Sequence, residues 1–194
     1  QAGALSFEIF SNDKKLISNS GYYPDTKNRL NKLSKSTALQ NTLSIEDYSS
    51  SDFIKSSNNF LIQKDLKIEN KNIVFEKNYW KISASHNGYF KKFKLDHHRE
   101  IEFYPEQFKF IGHDKIVRKD PDKQIKFDIR FHLHPDSKVM KTQNNKFILI
   151  QLEDEGWQFS CDNYDINIDN GLYFGNKNSY QENQNIFISG MNNE

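Results

Sequence analysis

At 194 residues the chain is long enough to bury a single core without disulfides or a structural metal. Its 27 Lys and Arg against 26 Asp and Glu leave a net charge of +1, so no global field draws in nucleic acid or a membrane surface. The one cysteine, Cys161, excludes an intramolecular disulfide framework and a cysteine-based zinc site, and no apolar run approaches the ~20 residues of a membrane span.

Hydrophobic content of 36% and a mean hydropathy of −0.85 resemble a disordered chain, but the 14% aromatic content is what disordered segments lack. The apolar spacing is dominated by period two, the signature of half-buried strands. In chain order, alternation at 5–9 predicts a first strand, closed by the turn signal Ser11-Asn12-Asp13. Residues 23–39 are polar, basic and strandless, and read as a long loop holding one short helix. The Ser/Asn-rich stretch 47–60 reads as a second loop, and long loops in a compact domain are often functional.

Short strands follow at 66–68, 73–75 and 80–85, then the turn Asn87-Gly88, then strands at 101–104 and 108–111. The clearest strand runs from Ile125 to His134, apolar at every second residue and stopped by Pro135. Asn144-Asn145 between 139–142 and 147–152 predicts a hairpin, with further turns at Glu155-Gly156 and Asn170-Gly171. Strands at 157–160, 164–168 and 185–188 complete the series. About a dozen short strands with this spacing predict an all-β fold, a large antiparallel sandwich with at most one short helix. No internal repeat divides it, so residues 1–194 read as one domain.

Few side chains stand out chemically. His132 and His134 share one face of a strand, close enough to bind a common metal or line a cleft; a polar outer face is the plainer reading. His97 and His98 point to opposite faces of any strand that holds them, so at most one serves a site. His86-Asn87-Gly88-Tyr89 joins a histidine to a turn and an aromatic. Arg29, Lys32, Lys35, Arg99, Arg118 and Arg130 offer charge to an anionic ligand. There is no Gly-rich phosphate loop, G-x-S-x-G elbow or H-E-x-x-H.

Ala4-Leu5-Ser6-Phe7-Glu8, then 16–22 (LISNSGY), then 41–47 (NTLSIED) resemble the C-terminal domain of the heparinase II/III family of polysaccharide lyases. So do His86-Asn87-Gly88-Tyr89, His98-Arg99, and 129–135 (IRFHLHP), in order from Ala2 to about Gly190. The resemblance implies a β-sandwich that follows an N-terminal (α/α) toroid in the same polypeptide, and β-elimination at a uronic acid. That reaction needs the C6 carboxylate neutralised, a base for the C5 proton and an acid for the departing oxygen. In the family the neutralising Asn or His and the acid/base Tyr come from the α domain.

The sandwich of the family supplies a His-x-His-x-Asp motif, an Asp before a Gly, and the His of His-Asn-Thr, giving one catalytic histidine and a bound metal. Placed on this sequence, the second His falls on Gln1, its Asp on Gly3, the next Asp on Asn19 and the last His on Gln40. The first His would precede residue 1, so the chain opens inside the first motif. Gln and Asn are neutral oxygen ligands, poor for zinc though acceptable to calcium; the simplest reading is that no cofactor is expected and an amide cluster of Gln1, Asn19 and Gln40 takes the metal's place.

Gln40, His86 and Tyr89 are then the catalytic candidates, and Arg99, Arg130, His132 and His134 the substrate-binding ones. The implied partners are an acidic polysaccharide and the α toroid, with neither nucleic acid nor membrane, in a periplasmic setting. The alternative is a non-catalytic sandwich kept for glycan binding or domain packing.

Overall fold

A computed structural model of the chain describes residues 1–56, 59–63, 65–119, 124–143, 145–175 and 179–192. In chain order its elements begin with β1 (Ile9–Ser11), β2 (Lys14–Ile17), α1 (Arg29–Leu33), β3 (Leu43–Ile45), β4 (Phe53–Ser56) and β5 (Asn59–Ile62). Next come β6 (Ile68–Glu76), β7 (Tyr79–His86), α2 (Phe90–Phe93), β8 (Leu95–Tyr104) and β9 (Lys109–Arg118). The chain closes with β10 (Ile125–His132), β11 (Lys138–Lys141), β12 (Ile148–Leu152), β13 (Glu155–Phe159), β14 (Ile166–Tyr173) and β15 (Gln181–Asn192).

Every named strand pair is antiparallel, as the alternation predicts. One layer is the sheet β14-β15-β10-β3. Its register aligns Ile166, Ile188, Ile129 and Leu43 in one row across the strands, with Gly190, Phe127 and Ile45 in the next. That face is the core. The alternate residues Asp128, Arg130 and His132, with Asn185 and Phe187 beside them, form the polar face.

The second layer is made from β6-β7-β8-β9 and from β11-β12-β13. It contributes Ile148, Ile150 and Leu152 from β12, Leu95 from β8 and the ring of Tyr89 to the same buried cluster. Phe110 of β9 and Trp157 of β13 lie 6.2 Å apart and join the two parts of this layer. Gly190 has a packing role: a Cβ there would lie 2.6 Å from both Phe127 and Tyr164, whose rings meet edge to face across it. No helix among the described residues is long and apolar enough to cross a membrane.

Some local expectations change. Residues 5–8 are not a strand, and β1 begins only at Ile9: Leu5 sits in the left-handed region (φ 58°), and side chains rather than a neighbouring strand take the Leu5 and Phe7 carbonyls. The stretch 47–60 contains all of β4 and the first two residues of β5, paired as a hairpin. Ile54 and Leu61 of that pair are exposed, so no buried face imprinted an apolar period on it. The turns placed at Glu155-Gly156 and Asn170-Gly171 fall within strands, at the start of β13 and in the middle of β14. Glu153, at φ 52°, makes the first turn instead.

A second one-turn helix, α2, is too short to leave a periodic signal and is stopped by Lys94 in the left-handed region. The expected turn at Ser11-Asn12-Asp13 is present, with positive φ at Asn12 and Asp13 as a tight hairpin requires. Asn145 is likewise left-handed in the β11–β12 connection; Asn144 lies outside the described residues.

Because Ile186 is fully buried in the core row, Ile186→Ala is expected to cost about 2–5 kcal/mol in urea unfolding. Ile73→Ala, at a residue 73% exposed, is expected to change stability by no more than about 0.5 kcal/mol.

Candidate functional site

Register decides which polar side chains meet. Pairing of β7 with β8 and β8 with β9 puts His86, His97 and Ile116 in one row, and Ala84, Arg99 and Asp114 in the next. All point toward the opposing layer, since residues directly opposite in an antiparallel pair share a face. His98 falls on the outer face.

The polar groups form a directional chain. The Gly88 N–H donates to His86 Nδ1 at 3.1 Å, which leaves the proton of His86 on Nε2. That N–H reaches His97 Nδ1 at 3.1 Å, and His97 Nε2–H reaches Asp114 Oδ1 at 2.5 Å. Arg99 closes on the same carboxylate with two bonds, at 2.8 and 3.0 Å. Its Nη1 also donates to the carbonyls of Leu5 at 3.0 Å and Asn41 at 2.6 Å.

Asn41 carries the chain across to the other layer. Its Nδ2 donates to the Phe7 carbonyl, its Oδ1 accepts the His132 N–H at 2.6 Å, and its own N–H reaches Asn19 Oδ1 at 2.8 Å. Gly88 is required locally, because a Cβ there would stand 2.2 Å from the Ser50 carbonyl oxygen.

Burial sets the charges. It pushes the His86 imidazole down to about 3, helped by the adjacent His97 and the Arg99 charge, and lowers His97 as well. Burial alone would raise Asp114, but the Arg99 guanidinium and the His97 hydrogen bond outweigh it and hold the carboxyl well below the usual range. At neutral pH the chain therefore holds two neutral histidines between a carboxylate and the protein interior.

The three catalytic candidates lie inside this framework. Gln40, His86 and Tyr89 are each about 1% exposed. Tyr89 donates its hydroxyl to the Leu43 carbonyl at 2.8 Å, and burial raises its phenol well above the usual range. Arg99 is buried in its ion pair with Asp114.

Arg130 lies on the polar face of β10, bonded to Asn185 Oδ1 at 3.0 Å and stacked 5.1 Å from the Phe187 ring. His132 and His134 have separate surroundings. His132, on the polar face of β10, is buried beneath the segment at residue 38, donates from Nε2 to the Ala38 carbonyl at 2.9 Å and is lowered to about 4 by burial. His134, past the end of β10, is partly exposed beside Asp136 and Tyr173.

The motif positions do converge. Gln1 and Gln40 both donate their amide Nε2 to the Ser34 carbonyl, at 3.4 Å each. A Cβ on Gly3 would stand 3.1 Å from Gln40 Oε1, and Asn19 Oδ1 is spent on the Asn41 N–H. The groups turned toward the shared carbonyl are N–H donors, which repel a cation, so these residues do not fit a metal. Among the described residues no group of three His, Cys, Asp or Glu could hold one.

Asp114 and Asn41 are the members that sequence reasoning did not single out. Asp114 could be found only through the β8–β9 register. A separate open groove of about 640 Å³ runs between α1 and β4, with Arg29, Lys32, Tyr48 and Asp52 in its walls.

The sequence model described as "Heparinase II/III-like, C-terminal" matches residues 1–194. Among solved structures, heparan sulfate lyase HepC from Pedobacter heparinus superposes with a TM-score of 0.78 at 14% identity. That match covers 99% of this chain and 28% of that one. The heparinase III BT4657 gene product gives 0.77 at 14% identity, covering 100% and 28%. The chain thus spans just over a quarter of the length of the lyases it matches, and the likeness is one of fold. No curated protein sequence matches it.

A histidine held below its unfolded value binds fewer protons folded than unfolded, so stability rises with pH between the two values. For His86 that window runs from about 3 to 6.5, for His132 from about 4 to 6.5. The Asp114 contribution has the same sign and is lost only below its ordinary 3.8. Lowering the pH from about 7 to about 5 should reduce the urea midpoint, each such histidine adding a slope of up to about 1.4 kcal/mol per pH unit. His86→Gln, which keeps a donor toward His97, should flatten that slope; an unchanged slope would remove His86 from the titration.

Proposed function

Because the chain belongs to the heparinase II/III-like family as its C-terminal domain, we propose that it is the β-sandwich part of a polysaccharide lyase. It acts with an N-terminal α-toroid domain of the same polypeptide, on a polysaccharide that contains uronic acid, by β-elimination. The observation that carries this reading is the family match over the whole chain. The fold it shares with solved heparan sulfate lyases over all but about 1% of its length supports it.

In this reading the two halves divide the work. Elimination needs groups that change protonation as the C5 proton leaves and the glycosidic oxygen departs. Gln1, Asn19 and Gln40 stand at the family's motif positions and offer only amides, which do not exchange protons near neutral pH. His86 and His97 titrate, but they are sealed in the interior. The base and the acid are therefore assigned to the α domain.

The sandwich contributes the rigid wall on which the substrate lies. The groove between α1 and β4 sets Arg29 and Lys32 beside Asp47 and Asp52, so its formal charges balance and it does not by itself attract uronate carboxylates. The buried catalytic candidates favour the second reading, a sandwich that binds glycan or packs on a neighbour without turnover.

The test is absorbance of unsaturated uronate ends on a panel of uronate polymers. The 194-residue chain alone should be silent, and the polypeptide carrying its upstream sequence should generate signal. Silence of the longer form, with retention of a polysaccharide in affinity electrophoresis, would establish the non-catalytic reading instead. The amide cluster makes a further prediction: dialysis against a chelator should leave the thermal midpoint of the chain unchanged. A drop that added metal reverses would mean that a cation is held after all.

A further inference from the structure

The inward face of β6-β7-β8-β9 is used along only part of its length. At one end it carries His86, His97 and Arg99, buried against the opposing layer, with Asp114 half-buried beside them. Toward the other end the same face continues as a row Phe75, Trp80, Phe103 and Phe110, with Ile73 and Ile82 paired beside it. These side chains overhang the layer that should cover them. Ile73 is 73% exposed, Phe75 74%, Ile82 61% and Trp80 38%.

The opposite face of these strands is the ordinary solvent face. There Tyr79 and Tyr104 donate to Glu102 at 2.9 and 2.8 Å, and Lys81 pairs with Glu100 at 3.3 Å. The sheet therefore has a polar side for water and an apolar side that runs out of partner. Patches of this kind mark interaction surfaces, whereas apolar residues scattered singly do not.

We propose that this ledge is a docking surface for the rest of the lyase polypeptide, a covalently attached protein domain rather than a glycan. Ring geometry argues against sugar. Phe75 and Trp80 stack at 4.8 Å, and Phe103 and Phe110 at 4.4 Å, so each ring has a face turned to its neighbour. A sugar platform needs open ring faces flanked by hydrogen-bonding groups. Here the flanking residues are Ile73 and Ile82, which offer methyl groups only.

Length argues for attachment in the same chain. This fold makes up 28% of the solved lyase chains, so most of such a polypeptide lies beside the sandwich, tethered at high local concentration. The inference rests on the proposed function for the identity of the partner; the exposed ledge itself does not depend on it.

The test is thiol labelling in a Cys161→Ser background, comparing Ile82→Cys on the ledge with Lys115→Cys on the polar face. Maleimide should react with both at similar rates in the 194-residue chain. In the longer polypeptide the Ile82→Cys rate should fall at least tenfold, with Lys115→Cys unchanged. Equal labelling of Ile82→Cys in both forms would overturn the docking surface, and uronate release by the longer form in that case would leave the lyase reading standing. Protection without any lyase activity would do the reverse. Protection that appears in the 194-residue chain as its concentration rises would also overturn the proposal, in favour of a second copy.

Discussion

The structure depends on one buried ion pair. Arg99 and Asp114 lie on adjacent strands of one sheet, and the guanidinium spans the carboxylate with two bonds. Burying both charges carries a desolvation cost of several kcal/mol per ion, offset only when every remaining donor and acceptor is satisfied. Here the other hydrogen bonds of Arg99 reach the carbonyls of Leu5 and Asn41, and Asp114 also receives His97. Remove either partner and the survivor is a lone charge between the layers.

That pair organises the rest. The Leu5 carbonyl it captures belongs to a segment with no strand partner, so the N-terminal residues are held by side chains where a ladder would otherwise be needed. Asn41 joins the same network to β10 through the His132 N–H and to residue 19 through its own N–H. Asn41 thus ties Asn19 to the network, and Gln40 is its neighbour in sequence. In this chain amides converge on a backbone carbonyl and do so without added charge.

The candidate site was partly legible in the sequence. The resemblance placed an amide cluster on Gln1, Asn19 and Gln40; in the structure Gln1 and Gln40 share the Ser34 carbonyl, while Asn19 bonds the Asn41 N–H. His132 and His134 were paired because alternation puts them on one face, but β10 ends at His132 and the two rings meet different partners. Asp114 passed unnoticed because nothing local distinguishes it from any strand acid. Its role comes from the β8–β9 register with Arg99 and His97, a relation between residues 15 and 17 positions apart.

The antiparallel β fold, the strongest strand at Ile125–His132 and the hairpin turn at Asn12-Asp13 were determined by the sequence alone. Each rests on a local rule: a strand with one buried face must alternate, and a tight hairpin needs residues that tolerate positive φ. Tertiary structure decided the rest. It made a hairpin of β4 and β5, whose exposed side chains carry no pattern, and kept residues 5–8 out of a ladder, with Arg99 and Asn41 bonding the Leu5 and Phe7 carbonyls. It also chose which polar residues meet in the interior and left one end of an apolar face uncovered. Those outcomes depend on strand register and on the extent of the facing layer, and neither is written in the residues of any single segment.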